Sequence, residues 1–460
     1  MREKFMKRSR AILVTLISAA IYLGCSAIPE HRVIGSPRAI NTGEAYQGID
    51  NRLAATQQSR IWFEDHTREI VGDALTMIKR NERDGASLDQ RWYAFRRFGE
   101  NLEHILRARE VRFYGGREAD VRLALAGEYG SMIPFEANQD PGEIRLFTAH
   151  RDRDGFDLVI IGQNGREVAL KTVIRLVYLF KFSDEEIKQK FVGGLDAFLP
   201  KVKIFLSSFP PRQEFISFFH QHRIADPDAV LIGFQGNTRS YLKEAGIGDP
   251  ERYSTDSLRI NWYPNANGKK TLLVSINGNR IYASRAGDLI EAIFEAFRAP
   301  PQTIVFFGSA GAIEAADLVG QIVAPTVVVN DDYLNPDRPG GKLAHLIHNR
   351  AAAILPVKTA HVSVESTVLE TTKWAAAKKN NRMMTVDQEL YHVVNAINTS
   401  SNGGKIRLYV GILITDNVST AAGQRGLTLQ YAEDIIAQTT ATRRAFLAQV
   451  LAEVGITRNK

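Results

Sequence analysis

The sequence predicts an α/β protein: a three-layer domain with a mixed, mostly parallel central sheet over 226–460, preceded at 52–225 by a largely helical domain of unknown type. Three observations carry this. Beyond Ala225-Asp226-Pro227, short β-branched runs alternate with helix-length amphipathic stretches, the order that builds a sheet with helices on both faces. Thr303–Phe307 is β-branched and aromatic without a polar interruption, as suits a central strand covered on both sides. Before residue 225, apolar positions recur at helical spacing instead.

A chain of 460 residues, 44% hydrophobic and 24% charged, can bury large cores, fits two to three domains and is not a disordered polymer. Its net charge of +7 looks basic, but Arg2, Lys4, Lys7, Arg8 and Arg10 less Glu3 supply +4, leaving +3 for the rest. An ordinary solvated surface explains that balance, so no nucleic-acid partner is expected.

The first residues run from this basic start through an apolar stretch, Ala11 to Gly24, into Cys25-Ser26-Ala27, the order of a secretory signal. The apolar run is too short to span a bilayer comfortably. Cys25 is the only cysteine, which excludes an internal disulfide. The segment resembles a bacterial lipoprotein lipobox, with Tyr22 where an aliphatic residue is usual, and implies lipidation at Cys25 after a signal peptide at 1–24. Cleavage near Ala27 and an uncleaved anchor are the alternatives. The expected location is the bacterial cell envelope, as a lipid-anchored membrane protein or in the periplasm. Residues 25–51, with Pro29, Gly35, Pro37, Gly43 and Gly48, read as a tether.

From Arg52 the spacing of Ile61, Phe63, Ile70, Val71, Ala74, Leu75 and Ile78 predicts one amphipathic helix. Trp92, Phe95, Phe98, Leu102, Ile105 and Leu106 predict a second, joined through Asp84-Gly85. Phe156–Gly162 reads as a strand ending in the turn-like Gln163-Asn164-Gly165. Leu170–Phe182 is apolar apart from Lys171, Thr172, Arg175 and Lys181, and fits a buried helix or a strand. An aromatic helix through Phe215, Phe218 and Phe219 follows Pro210-Pro211. His220 and His222 stand two apart, on different sides of that helix, which suits surface or capping roles better than metal binding.

The α/β domain offers strands near Ala229–Phe234, Arg259–Tyr263, Lys270–Ile276, Thr303–Phe307, Gln321–Asn330, Ala360–Val364 and Ile406–Ile414. Helices fall near Arg285–Phe297, Val368–Lys379, Gln388–Asn398 and Thr428–Val454. Ligands of such folds lie beyond the carboxyl ends of strands. GSAG at 308–311 and the segment after Ile414 occupy such positions.

GSAGAI at 308–313 with the following VAPTVVVND, VDQE at 386–389, ITDN at 414–417 and SINGNRIYASRA at 275–286 together resemble the purine nucleoside phosphorylase and nucleosidase superfamily, over about 228–454. The resemblance implies a three-layer phosphorylase/hydrolase-like fold and cleavage of the N-glycosidic bond of a nucleoside or related ribosyl compound. It implies that Gly308, Ser309 and Gly311 form a substrate-binding turn after a central strand, that Gln388 and Glu389 lie beside the sugar, and that Asp416 is the acid. Gln388 stands where the family usually has Met, Thr415 where it has Ser, and Val418 near a common small residue.

The chemistry asks for those residue types. Breaking the bond leaves an electron-poor sugar and a negative base, so a carboxylic acid that protonates the base lowers the barrier. Asp416 would need burial to hold that proton, which Ile412, Leu413 and Ile414 could supply; its plainer role is a helix or turn cap. Glu389 would accept hydrogen bonds from two ribose hydroxyls, or else sits at a helix start in favour of the dipole. Ser309 could face the attacking water or phosphate, or simply belong to a tight turn.

Phosphate-using members commonly place an Arg two residues before the Gly-Ser/Thr turn, where Phe306 stands here. Their other phosphate arginine follows the first strand, and Arg239 in GFQGNTR comes two positions late. The water-activating Glu of the hydrolytic branch is also absent from Gly233–Arg239. Hydrolysis is the favoured expectation, because water can be oriented by several groups whereas a phosphate dianion needs positive charge. A phosphorylase, or a non-catalytic nucleoside-binding lipoprotein, is the alternative. Neither a cofactor nor a metal is expected, and a homo-oligomer is compatible with the resemblance.

Overall fold

The computed structural model describes residues 62–84, 102–134, 144–151, 155–182, 194–254, 258–275, 283–313, 316–331, 344–364, 370, 372–418 and 433–457. The signal-like segment, Cys25, the tether and most of the second expected amphipathic helix lie outside these residues.

The first part of the chain builds a sheet of its own. Its elements are β1 (Phe63–Asp65), α1 (Thr67–Asp84), α2 (Leu102–Arg107), β2 (Val111–Gly115), α3 (Glu118–Leu125), β3 (Ser131–Pro134), β4 (Ile144–His150), β5 (Asp157–Gly162), α4 (Arg166–Phe182), α5 (Gly194–Phe198) and β6 (Val202–Ser207). The strands lie in the order β1-β6-β2-β5-β4-β3. β2 runs parallel to β5 and β6, and the outer pairings are antiparallel. Helices are the larger share of this region, as expected, but of its strands only β5 was legible in the sequence.

The sheet is covered on both faces, since alternate residues of a strand point to opposite sides. Val111, Phe113, Leu158 and Ile160 join a core with α1 and α4, while Tyr114, Val159 and Ile161 pack with α3 through Val121 and Leu125. α4 settles Leu170–Phe182 as a helix. It is apolar nearly all round, the mark of a helix buried on every side. Its side chains share one cluster with Ala283, Ile313, Val364, Trp374 and Val386 of the second sheet region, so α4 is packed between the two sheets.

The second sheet follows α6 (Pro211–Gln221), with elements β7 (Ala229–Ile232), α7 (Gln235–Glu244), β8 (Glu251–Ser254), β9 (Arg259–Ala266), β10 (Lys269–Ser275), α8 (Ser284–Ala296), β11 (Thr303–Ala312), β12 (Ile322–Asp331), β13 (Ala344–Leu346), β14 (Lys358–Val364), α9 (Thr372–Asn380), β15 (Thr385–Asp387), α10 (Leu390–Thr399), β16 (Arg407–Asn417) and α11 (Glu433–Glu453). The expected strands and helices are all present, and the sheet is mixed.

Its order is β13-β12-β14-β15-β11-β7-β10-β9-β8, with β16 paired to both β11 and β12. β12, β14, β15, β11 and β16 therefore close into a ring, from which β7, β10, β9 and β8 extend as an open sheet. Asn349 fastens the ring near its closure: its amide donates to Pro325 O and Val410 O, and its side-chain oxygen accepts from Val410 N–H and Ala351 N–H, at 2.8–3.0 Å. Along β11, Ile304 and Phe306 face a core shared with α6, α8 and α10. Val305 and Phe307 face a core shared with α11. That is the expected three-layer arrangement. Both sheets fall in one compact unit, Ile61–Lys460, and none of the described helices is long and apolar enough to cross a membrane.

Candidate functional site

β11 does not end at Phe307. Gly308 to Ala312 continue as strand, so GSAG is strand and not the expected turn. The reason is pairing: β16 runs parallel beside it as far as Asn417, and β15 joins antiparallel at Gly311 and Ala312. Gly311 consequently sits between Asp416 on one side and Val386 on the other. With neighbouring strands about 4.8 Å apart, those two flanking backbones lie roughly 10 Å apart across β11. The three motifs, remote in sequence, converge on one strand end.

The β11–β16 register slips between Ala310 and Gly311, leaving Thr415 as an extra residue opposite the slip. A bulge of this kind re-aims the side chains beside it. Asp416 is 7% exposed and accepts a hydrogen bond from Thr415 Oγ1 at 2.9 Å. A Cβ on Gly311 would stand 2.7 Å from Val418 Cγ1 and 3.4 Å from an Asp416 carboxyl oxygen. Only glycine lets Asp416 and Val418 approach this closely.

Glu389 immediately precedes α10, and its carboxylate accepts backbone hydrogen bonds from Gln388 and from Ala283, just ahead of α8. Its pKa is pushed up to about 8, by burial first and by the neighbouring Asp387 second, while Lys171 and the two backbone donors pull it down. Gln388 is 8% exposed, and its side-chain oxygen has no hydrogen-bond partner among the described residues.

What fixes this segment is a buried polar cluster that sequence reasoning missed. Asp387 accepts from Ser363 Oγ at 2.6 Å and from Leu390 N–H at 3.0 Å, and lies 2.9 Å from His361 Nε2. His361 Nδ1 meets Thr385 Oγ1 at 2.8 Å, and Ser363 Oγ also accepts from Tyr391 N–H at 3.0 Å. Ser363 and His361 are wholly buried, so this Ser, His and Asp set holds β14, β15 and the start of α10 together and offers no nucleophile to a substrate.

No family model matches the chain, and no curated protein matches it. Among solved structures the chain is similar to the Helicobacter pylori 5'-methylthioadenosine/S-adenosyl homocysteine nucleosidase, at 15% identity and TM-score 0.38, over 50% of this chain and 99% of that one. It is similar to a futalosine hydrolase mutant of Helicobacter pylori strain 26695 at 12% identity and TM-score 0.36, over 50% and 99%. Arabidopsis thaliana 5'-methylthioadenosine nucleosidase gives 14% identity and TM-score 0.37, over 50% and 96%.

The remaining sequence candidates separate. Gly308 pairs with Ile412 and is half-buried; Ser309 pairs with Leu413 and is exposed. Phe306 is 1% exposed in the core beside α8 and α10, as its apolar run implied. Arg239 is exposed on α7, within electrostatic range of Tyr263. His220 Nε2 lies 3.3 Å from Ala296 O, whereas His222 packs on Phe218 and Tyr253, so the two rings part as expected. Among the described residues no group of three or more His, Cys, Asp or Glu could hold a metal ion.

Charges from α4 and α8 border the site. Asp288 of α8 is pushed up to about 6 by burial, against the nearby Arg285. Burial holds His392 of α10 below the usual histidine range, against Glu167 and Asp387. Arg285 reaches Asn164 O at 3.4 Å and Glu214 at 3.3 Å, tying the start of α8 to the end of β5 and to α6. The one signal of this border in the sequence was the set of charged residues interrupting the apolar run of α4.

Proposed function

We propose that the protein cleaves the N-glycosidic bond of a nucleoside or related ribosyl compound, with water as the acceptor. The observation that carries this is the placement of Gly311 between Asp416 and Val386, which brings a buried carboxyl and the Gln388-Glu389 segment to one strand end. Asp416 is the proton donor to the departing base, a buried carboxyl at the strand end where the motifs meet. Glu389 takes the sugar hydroxyls, and the unpartnered Gln388 oxygen accepts a further donor of the ligand. Gly308 and Gly311 admit Ile412 and Val418 close against β11, and Ser309 lies exposed between them.

Water is favoured over phosphate because, among the described residues, neither position that phosphate-using members fill with arginine supplies a cation beside β11: Phe306 is in the core and Arg239 is exposed near Tyr263. The test is base release from a panel of purine and pyrimidine nucleosides in phosphate-free buffer. Free base with free ribose is expected. Release that requires phosphate and yields ribose 1-phosphate would replace hydrolysis by phosphorolysis, and binding without release would leave a nucleoside-binding protein. Asp416→Asn is expected to lower turnover by roughly two to four orders of magnitude with affinity little changed. Parental turnover in that variant removes Asp416 from the mechanism.

A further inference from the structure

We infer that Thr415 is a positioning residue for the proposed acid, its hydroxyl holding one oxygen of the Asp416 carboxyl and leaving the other to carry the proton. The use of that proton, on the departing base, rests on the proposed function. Adjacent residues of a strand point to opposite faces, so the side chains of Thr415 and Asp416 would not meet in a regular strand. The slip in register changes this. Ala310 pairs with Ile414 and Gly311 with Asp416, and Thr415, the extra residue between them, is turned toward the acid. Its Oγ1 stands 2.9 Å from Asp416 Oδ1.

Thr415 Oγ1 also lies 3.4 Å from Ala310 O, and a hydroxyl has only its single proton to give. The carboxyl oxygen, at ordinary hydrogen-bond length, takes it; the carbonyl stands at the far limit of such a bond. With a donor already on Oδ1, Oδ2 is the oxygen on which the acid carries its hydrogen. Both oxygens flank Gly311, 3.4 and 3.5 Å from the place of a Cβ, so a side chain there would crowd the carboxyl. The methyl group of threonine restricts rotation about χ1, which keeps the hydroxyl on its oxygen.

This hydrogen bond strengthens as the reaction proceeds. The Asp416 O–H bond breaks as an N–H bond to the base forms, and the glycosidic C–N bond breaks with its electron pair going to the base. The oxygen of water bonds to the sugar carbon; its surplus proton passes to solvent, which returns one to the carboxylate. Asp416 is 7% exposed, so little water meets the charge left on it. A hydroxyl bonds an ionised carboxylate about twice as strongly as a neutral acid. Thr415 therefore stabilises the transition state more than the resting acid, and acts on turnover rather than on affinity. The charged groups on the surrounding elements have partners of their own: Asp387 of β15 meets Ser363 and His361, Glu389 before α10 accepts from the Gln388 and Ala283 backbone, and Arg285 of α8 meets Glu214. Lys171 and Arg175 lie buried on α4, whose apolar cluster receives Val418.

The experiment compares Thr415→Val, which keeps the shape and removes the hydroxyl, with Thr415→Ser in the full chain, on the nucleoside that the parent cleaves fastest. Thr415→Val is expected to lower kcat roughly 10- to 100-fold with KM within about twofold, and Thr415→Ser to restore most of it. Thr415→Ala gives a second variant without the hydroxyl should the Val form not fold. A readout free of catalysis is 13C NMR of aspartate-labelled protein, the Asp416 signal assigned by its loss in Asp416→Asn. Without the hydroxyl its titration midpoint should rise by about one pH unit, and Thr415→Ser should bring it back. Parental kcat, or an unmoved midpoint, in a folded variant lacking the hydroxyl overturns the inference and leaves the proposed function standing. If the midpoint moves but the parent releases no base from any nucleoside, the Thr415–Asp416 bond is real, and the acid role and its positioning fall with the proposed function.

Discussion

Replacing Glu389 by Gln should change how stability depends on pH, with a sign fixed by the structure. The Glu389 carboxyl is raised from 4.5 to about 8, chiefly by burial. Between those values the folded protein holds a proton on Glu389 that the unfolded chain has released. Parental stability therefore falls as pH rises through this window and levels off above it. At about 1.4 kcal/mol per pH unit the full window amounts to about 5 kcal/mol. Gln matches the protonated carboxyl in shape and cannot ionise, so the variant lacks this component. Urea unfolding followed by tryptophan fluorescence at several pH values from 5 to 9 measures it, because other titrations are common to both proteins and cancel in the difference. Near pH 5 the two should be close; toward pH 9 the variant should be the more stable by several kcal/mol. Parallel curves, or a parent that gains on the variant with rising pH, would refute the assignment of a raised pKa.

Gly311→Ala should lower the unfolding midpoint by the equivalent of about 1–3 kcal/mol and impair base release, since its Cβ would fall 2.7 Å from Val418 and 3.4 Å from Asp416. A variant with parental melting and turnover would show that the strand end yields without cost. On the proposal that Cys25 carries a lipid, Cys25→Ala should leave the membrane fraction and lose acyl-chain label. Retention without label would point to Ala11–Gly24 as an uncleaved anchor.

Much of the second sheet was legible because its strands carry a period the eye can count. β7, β9, β10, β11, β12, β14 and β16 are rich in β-branched and aromatic residues, and the helices between them show one apolar face. β8, the edge strand Glu251–Ser254, exposes most of its residues, and β15 has only three, so neither builds a pattern. α7 is polar over most of Gln235–Glu244 and was missed for the same reason. The GSAG segment misled in the other direction. Small residues usually signal a bend, but here they let Ile412, Asp416 and Val418 crowd against a strand that continues.

The candidate site was legible in its residues and not in its enclosure. Asp416, Glu389 and the GSAG segment could be named because each follows a recognisable run, and pairing through Gly311 then gives them a common place. Nothing local to Leu170–Phe182 says what it covers. A lysine in an apolar run has two physical outcomes: the run is exposed on that side, or a counter-charge arrives from elsewhere. Burial of Lys171 excludes the first, so its charge must be answered within the fold. Glu167 stands four residues earlier in the same helix, where side chains at i and i+4 are neighbours, so the run carries a local candidate for that charge, and only the folded chain decides the partner.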